Sequence, residues 1–435
     1  MLDSNRLFES SNKYFIKTMN QKESDVVIIG GGVIGLFTAY YLSKEGKSVT
    51  VLEKGSLKEA CSYGNCGLVS PSHALPLNSP ALIMKSLVWL FQKDSPFYIK
   101  PQLDMKFINW MLSFTLNAFN KKQIERSMHG RNNLLIDSKN LYNDLFARQS
   151  FDCNWAPSGI HFVFGKEENF EAYRAKDDKL TTIGLAAEPI VGQSLLDMEP
   201  ALTDHAYGSW FYKIDASLNP GKLLTELRKQ LLADGVVIEE LCEVKAFKKS
   251  NNRITELVTN MGNIKAKDVV LATGAWSPWL EDQLDLKIPI VPGKGYSITM
   301  KRPMISPICP LIFEERKVVA TPWKDGYRLG GTMEFSGYDT TLNRDRLQSL
   351  KRAAKEYLKE PFSEENVEEW CGWRPMTNDG MPIIDKSPIH QNLYMACGHN
   401  MLGLSMAPST GKLIAEMIVG QKPHIDHTLY SFNRF

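Results

Sequence analysis

Long apolar runs are missing from this 435-residue chain. The longest, at 86–91, falls far short of the roughly 20 residues that a bilayer-spanning helix needs. A charge of one dominant sign is missing as well. Lys plus Arg number 51 and Asp plus Glu 49, so the net charge of +2 exerts no general pull on nucleic acid or on an anionic surface. Cysteine is scattered, at 61, 66, 153, 242, 309, 371 and 397, and only Cys61 and Cys66 are near one another. With no CxxC and no Cys/His ligand spacing, neither a disulfide framework nor a metal site is indicated, and a reduced cytoplasmic protein fits. Residues 1–24 hold no apolar core and no small-residue cleavage site, so they read as a flexible N-terminal extension and not as a signal peptide. Repeats and low-complexity tracts are also lacking. What remains, 43% hydrophobic and 23% charged, is ordinary globular composition in a chain long enough for two or three domains.

The strongest positive signal is Asp25-Val-Val-Ile-Ile-Gly-Gly-Gly-Val-Ile-Gly35, then a helical pattern, then Ser48-Val-Thr-Val-Leu-Glu53. A buried strand, a glycine turn, a helix and an acidic strand end form a dinucleotide phosphate cradle. Gly30 allows the tight turn, Gly32 lets the backbone approach a pyrophosphate, and Gly35 lets the helix pack on the sheet. Val33 and Ile34 open the helix, whose free N–H groups and partial positive charge suit phosphate. Glu53, followed by Lys54, is placed to accept ribose hydroxyls.

Only one such unit exists, because Gly293-Lys-Gly295 follows a proline and opens a strand. Two further segments favour FAD over a nicotinamide nucleotide. Val270-Leu-Ala-Thr273-Gly274-Ala275 is a buried strand ending in a glycine turn, and it resembles the Ala-Thr-Gly strand of FAD-binding folds, which passes near the cofactor. Gly398-His-Asn-Met-Leu-Gly403 opens a helix whose positive end would steady negative charge on a reduced flavin. The same patterns divide the chain. A Rossmann-like α/β cofactor domain takes 25–75, 216–285 and 369–425. A discontinuous α+β substrate domain on a mostly antiparallel sheet takes 76–215 and 286–368, leaving 426–435 as a C-terminal tail. Helices are expected at Ala81–Gln92, Met105–Asn120, Phe170–Ile183, Gly221–Ala233, Leu342–Lys359 and Gly403–Val419.

Together with Ser62-Tyr-Gly-Asn-Cys-Gly-Leu-Val-Ser-Pro71, Trp89-Leu-Phe-Gln-Lys, Lys294-Gly-Tyr-Ser297, Arg328-Leu-Gly-Gly331 and Gly372-Trp-Arg-Pro-Met-Thr377, these motifs run nearly end to end. In that order the chain resembles the FAD-dependent D-amino acid oxidase superfamily, and within it the bacterial D-amino acid dehydrogenase branch of small-subunit type. The resemblance implies the fold of glycine oxidase and its relatives, with FAD held along Gly30, Gly32, Gly35 and Glu53. Ser62, Asn65, Gly67 and Leu68 would lie along the flavin, Val244 near the adenine, Gly274 and Trp276 close by, and Gly398 to Ser405 (His399, Met401, Leu402, Gly403, Leu404) around the pyrimidine. It implies oxidation of a D-amino acid to its imino acid, D-alanine-like or cyclic as in proline and hydroxyproline isomers. Electrons would pass to a respiratory acceptor such as a quinone. The alternatives are a glycine- or sarcosine-type oxidase making peroxide, and a flavin-holding subunit of a heteromeric dehydrogenase.

Such a reaction needs no metal, but it needs a carboxylate anchor. Arg374 is the candidate, since a guanidinium matches a carboxylate with two parallel hydrogen bonds. Tyr296 is a phenol donor to substrate or flavin, or a strand tyrosine bonded locally. His73 and His399 are candidate bases, or loop residues that only hydrogen-bond. Met401 stands where glycine-oxidising members carry a second arginine. Cys371 sits one residue from the position that carries covalent flavin elsewhere, so non-covalent FAD is expected. The aromatic stretch 81–119 (Leu87 to Phe91, Phe107, Trp110, Met111, Phe114) reads either as core of the second domain or as a surface for peripheral contact with the inner face of the cytoplasmic membrane.

Overall fold

A computed structural model describes residues 24–80, 83, 84, 96–101 and 103–435. The expected N-terminal extension, apart from Ser24 itself, and most of the helix expected at 81–92 lie outside these residues.

The chain opens with strand β1 (Ser24–Ile29), helix α1 (Val33–Lys44) and β2 (Val49–Leu52). Val26 to Ile29 are all buried, so β1 is covered on both faces, as a parallel sheet requires. Helices α2 (Met105–Phe119) and α3 (Lys121–Arg148) follow, with Asn120 between them closing one and capping the next. The 28-residue α3 has no counterpart among the sequence expectations. Next come β3 (Ile160–Phe164), α4 (Glu167–Thr181) and β4 (Gly208–Tyr212). The second half carries β5 (Gly262–Leu271), β6 (Ile290–Met300), β7 (Leu311–Phe313), β8 (Val318–Trp323), β9 (Gly326–Phe335), β10 (Glu368–Thr377), β11 (Leu393–Cys397) and α5 (Gly403–Val419).

Two sheets organise these strands. The first has a parallel core, Val237–Glu239, β2, β1, β5 and β11, extended by an antiparallel hairpin and by Ile383–Lys386. The second, mostly antiparallel, runs β10-β6-β9-β8-β7-β3-β4 and ends on Glu188–Val191. β10, grouped with the cofactor domain on sequence, pairs along its whole length with β6 in this second sheet. The reason is local: Gly372 and Trp373 begin no new parallel unit but continue an antiparallel ladder. The C-terminal residues are not loose either. Tyr430 is fully buried and donates to the Gly130 carbonyl at 2.8 Å, and Arg434 meets Asp379 at 2.6 Å with both side chains buried.

Candidate flavin and substrate site

Between the two sheets lies a cavity of about 1790 Å³. That exceeds the range of about 300–1,000 Å³ that a single small ligand occupies, so a dinucleotide and a substrate fit together.

Its first wall is the glycine turn. Gly30 has φ +112°, and a Cβ there would sit 2.4 Å from the Ala272 carbonyl oxygen. A Cβ on Gly35 would sit 2.0 Å from the Gly30 oxygen. Both glycines are therefore required by close backbone approach. Gly32, Val33 and Ile34 line the cavity at the start of α1, which has no side-chain cap, although the Ser62 hydroxyl accepts the Val33 N–H at 3.1 Å. The Glu53 carboxylate is fixed at the turn by the N–H groups of Gly31 (2.7 Å) and Gly55 (2.9 Å). Each oxygen keeps a lone pair free for a hydroxyl. Lys54 turns its ammonium onto the rings of Trp276 and Trp279, 4.0 and 4.7 Å from their centres. Opposite, the uncapped N-terminus of α5 meets the cavity through Leu402 to Ser405. Ser405 ties this turn to β-strand Leu68–Val69, donating to the Leu68 carbonyl at 2.9 Å. These residues fit FAD.

Of the residues picked out from the sequence, Gly35, Gly67 and Gly398 stand behind the wall and the others line the cavity. Gly67 and Gly398 both have positive φ and pack against Leu218 and Thr377, so they serve the turns that carry their neighbours.

The second wall belongs to the other sheet. Arg374 points from β10 across Gly295 of β6, where a Cβ would sit 2.3 Å from the guanidinium. Its Nη1 donates to the Thr332 carbonyl at 2.8 Å, and Nη2 reaches the Gly331 carbonyl at 3.5 Å. No carboxylate among the described residues lies within ion-pair distance of it. Burial pulls its pKa down, opposed by the nearby thiols of Cys61 and Cys66. A bulge in β9 makes the carbonyl contact possible. Three steps on β9, Glu334 to Gly331, oppose two on β6, and Thr332 takes φ +60°, a strained angle for a β-branched residue. Among the described residues the buried Thr332 hydroxyl finds no hydrogen-bond partner. Sequence reading missed Thr332 because a bulge leaves no period-2 signal.

Tyr296 is almost completely buried, and its hydroxyl donates to Glu334 at 3.0 Å. His399 is buried with its Nε2 on the Thr410 hydroxyl at 3.0 Å, and burial pushes its pKa down to about 3. His73 leans on Phe162, with its pKa also down to about 3. Burial is the larger cause, and the positive charges of Lys176, Arg131 and Lys317 add to it. Both imidazoles are thus neutral near pH 7. Met401 lines the cavity. The Cys371 thiol faces the Thr340 carbonyl at 3.7 Å.

Helix α2 settles half of the question left by the aromatic stretch. Phe107 and Trp110 pack on Phe335 and Met376, and Trp110, Met111 and Phe114 line the cavity. Leu112, Leu116 and Phe119 are exposed. Leu87 to Phe91 lie outside the described residues. Among the described residues no helix is long and apolar enough to cross a membrane.

Comparison with known proteins agrees with this architecture. Residues 25–417 match the profile of the DAO family, FAD dependent oxidoreductase. A D-amino acid dehydrogenase of Vibrio atlanticus (strain LGP32) is 31% identical over 428 residues, covering 94% of this chain and 100% of the relative. One from Helicobacter pylori is 28% identical over 396 residues, 91% and 95% of the two chains. The solved glycine oxidase of Geobacillus kaustophilus superposes with TM-score 0.77 at 21% identity over 95% of this chain and 99% of that one. L-proline dehydrogenase of P. horikoshii gives 0.70 at 21%, over 95% and 98%. The chain belongs to the DAO family of FAD-dependent oxidoreductases. Its cofactor is FAD.

Proposed function

We propose that this protein is a D-amino acid dehydrogenase. Its substrate is a D-amino acid, D-alanine-like or cyclic such as a proline or hydroxyproline isomer. Its electrons go to a respiratory acceptor such as a quinone, reached from the cytoplasmic face of the membrane. The similarity to D-amino acid dehydrogenases over nearly the full chain supports this reading. The observation that carries it is a cation without an anion: the Arg374 guanidinium, in the cavity, held flat by the carbonyls of Thr332 and Gly331.

FAD, when bound, supplies the acceptor for the two electrons and the hydrogen leaving the substrate α-carbon. Arg374 binds the substrate carboxylate through its fork and fixes the plane of the α-carbon. Trp110, Met333, Phe335 and Met376 give the pocket apolar walls that keep water from it. The amine must be neutral for its lone pair to drive out the Cα–H. The neutral His73 and His399 position neighbours instead of taking that proton. The substrate loses a hydride from the α-carbon and a proton from nitrogen, two electrons and two protons in all, to become the imino acid, which water converts to the 2-oxo acid and ammonia. FAD is held without a covalent bond, by Gly30, Gly32, Glu53, Ser62 and the Leu402–Ser405 turn, so acid precipitation should leave the flavin in the supernatant.

The test is anaerobic bleaching of the yellow protein by D- and L-amino acids, including proline and hydroxyproline isomers. Bleaching by D-isomers is expected, and bleaching by L-isomers alone overturns the proposal. Rapid oxygen consumption with glycine or sarcosine would instead assign an oxidase, a reading the apolar Met401 disfavours. Absence of bleaching by every amino acid would leave a flavin-holding subunit.

A further inference from the structure

Two side chains in the cavity wall carry polar atoms that nothing takes up. Asn78 is 1% exposed, and among the described residues neither its amide nitrogen nor its carbonyl oxygen finds a hydrogen-bond partner. Arg131, on α3, is 3% exposed, and its Nε–H is likewise unmatched. Both residues line the cavity. They are neighbours, because a Cβ built on Gly380 would lie 3.5 Å from Asn78 Oδ1 and 3.5 Å from Arg131 Nη1. Each buried polar group left unmatched costs about 1–3 kcal/mol. Three unmatched atoms in one place therefore mark a site whose partner comes from outside the chain.

The Arg131 guanidinium cannot turn away to solve this. Its Nη1 donates to the Gly380 carbonyl at 3.2 Å and its Nη2 to the His73 carbonyl at 2.6 Å, so its plane is fixed and only Nε–H is left over. The Asp379 carboxylate nearby is already held by Arg434 at 2.6 Å. The pair also lies on the substrate side of the cavity. Arg374 Nη1 approaches the Met333 sulfur at 3.8 Å. Met333 and Leu77 pack on one apolar cluster, built of Phe107, Trp110, Phe335 and Met376, and Asn78 follows Leu77. At its other end the same loop is tied to the flavin turn, where the Ser70 N–H reaches the Ser405 hydroxyl at 3.2 Å. A substrate with its carboxylate on Arg374 and its α-carbon toward the flavin has this loop to receive its side chain.

The unmatched atoms define the missing group. Asn78 Nδ2 and Arg131 Nε are donors and Asn78 Oδ1 is an acceptor, and exchanging the amide's oxygen and nitrogen leaves that count unchanged. The partner must take two hydrogen bonds and give one. A hydroxyl does so with two lone pairs and one O–H, and a carboxamide does so through its oxygen and its NH2. An apolar side chain satisfies none of the three. A carboxylate has no hydrogen for Oδ1, and an ammonium has no lone pair for the Arg131 N–H and is repelled by its charge.

We infer that Asn78 and Arg131 form a subsite for the substrate side chain, and that it selects D-amino acids bearing a neutral group that both gives and takes hydrogen bonds, a hydroxyl or a carboxamide. The inference rests on the proposed function for the placement of the carboxylate and α-carbon, and it narrows the substrate class of that same site. Asn78 and Arg131 read the far end of the substrate and take no part in the bond changes at the α-carbon.

The experiment compares anaerobic bleaching rates of the FAD-loaded protein at low substrate concentration, in matched pairs. D-asparagine is set against D-leucine, which has the same shape, and the D-isomers of hydroxyproline against D-proline. The parent should favour the polar member of at least one pair by about tenfold or more, since a site built to bond a polar group rejects the analogue without it. Asn78→Leu should bring that ratio to within about threefold of one. Asn78→Asp should lose the preference too, because its carboxylate takes up the Arg131 N–H itself. Flavin content, measured first, shows that each variant is folded, and a ratio taken within one protein does not depend on the fraction that is active. Equal rates for both pairs in the parent, or a preference that survives Asn78→Leu, overturns the inference. A stronger response to D-aspartate than to D-asparagine would assign the pair to an anion and overturn it equally. Bleaching by D-alanine without any polar preference sinks this inference alone, whereas no bleaching by any D-amino acid sinks the proposed function and this inference with it.

Discussion

Replacing Arg374 by methionine tests the substrate anchor directly. The side chain has no acidic partner among the described residues, so the change removes a free cation and leaves no orphaned carboxylate behind. Truncating one member of a buried, hydrogen-bonded charge pair costs about 2–5 kcal/mol. At about 1.4 kcal/mol per decade, that is from about thirtyfold to several thousandfold in the substrate concentration that half-bleaches the flavin. The Thr332 carbonyl also loses its 2.8 Å donor, adding about 1 kcal/mol of local loosening at the bulge. Arg374→Lys keeps the charge without the planar fork and should fall between parent and methionine variant. The assay is anaerobic stopped-flow bleaching, with flavin absorbance first confirming that FAD content is unchanged. A second axis isolates the carboxylate contact, namely the same measurement with the amino acid amide. Arg374→Met should lose most of the parent's preference for the acid over the amide, the coupling that a double-mutant cycle reports. If the methionine variant half-bleaches within threefold of the parent, or shows the parent's preference for acid over amide, Arg374 does not hold the carboxylate.

Three further outcomes follow from the geometry. Gly35→Ala forces a Cβ to 2.0 Å from the Gly30 oxygen, so α1 must shift off the sheet; the purified variant should be colourless or insoluble, and a full flavin-to-protein ratio would refute this. His399 has its folded pKa pushed below its unfolded value, so between about pH 6.5 and pH 3 the unfolded chain binds the extra proton. Its contribution to stability is complete above about pH 6.5 and falls as the pH drops toward 3. Denaturant titrations should therefore show the parent losing stability relative to His399→Gln over that range, by up to about 1.4 kcal/mol per pH unit, while the pH–rate profiles above pH 7 coincide. Arg434→Met leaves the buried Asp379 carboxylate without its 2.6 Å partner and should cost about 3–5 kcal/mol in chemical denaturation; a loss under 1 kcal/mol would show that the C-terminal residues contribute little.

The nucleotide half of the site was legible because its signals are local. Gly30, Gly35 and Glu53 lie within one strand–turn–helix–strand unit, and each is demanded by a contact inside that unit or with the adjacent strand. Helix Gly403–Val419 was readable to the residue, since its apolar pattern begins directly after a glycine turn. The substrate half was less legible because it is assembled from distant pairing. Nothing near Gly295 in the text says that Arg374 lies across it, and the β9 bulge that aims the Thr332 carbonyl at Arg374 is invisible to periodicity. Tyr296 lines the cavity, but the partner of its hydroxyl, Glu334, lies 38 positions away on the neighbouring strand and could not be read from local pattern. Helix α3 was missed for a different reason. It is long and polar, and its buried residues, Leu134, Leu135, Ser138 and Tyr142 among them, include small and polar ones that weaken the apolar stripe.

What joins the two halves is the run from β10 to Ile383–Lys386, which leaves one sheet and enters the other. Successive carbonyls along it are taken by side chains of α2 and α3. Trp110 donates to Met376 at 3.1 Å, Asn117 to Asn378 at 3.2 Å, Ser127 to Asp379 at 2.9 Å and Arg131 to Gly380 at 3.2 Å. Thr377 closes the turn onto the Met381 carbonyl at 2.8 Å, and Arg434 grips Asp379 from the far side. A connection between sheets would ordinarily be a surface loop with water on its carbonyls. Here it is pinned at almost every residue, so Arg374, at one end, cannot move independently of the flavin sheet at the other. Under the proposed reaction, in which no side chain takes a proton, orientation by a rigid frame supplies the rate by holding the α-carbon at a fixed place. The helix that carries Trp110 and Asn117 into this frame is therefore as much a part of the substrate wall as the strands are.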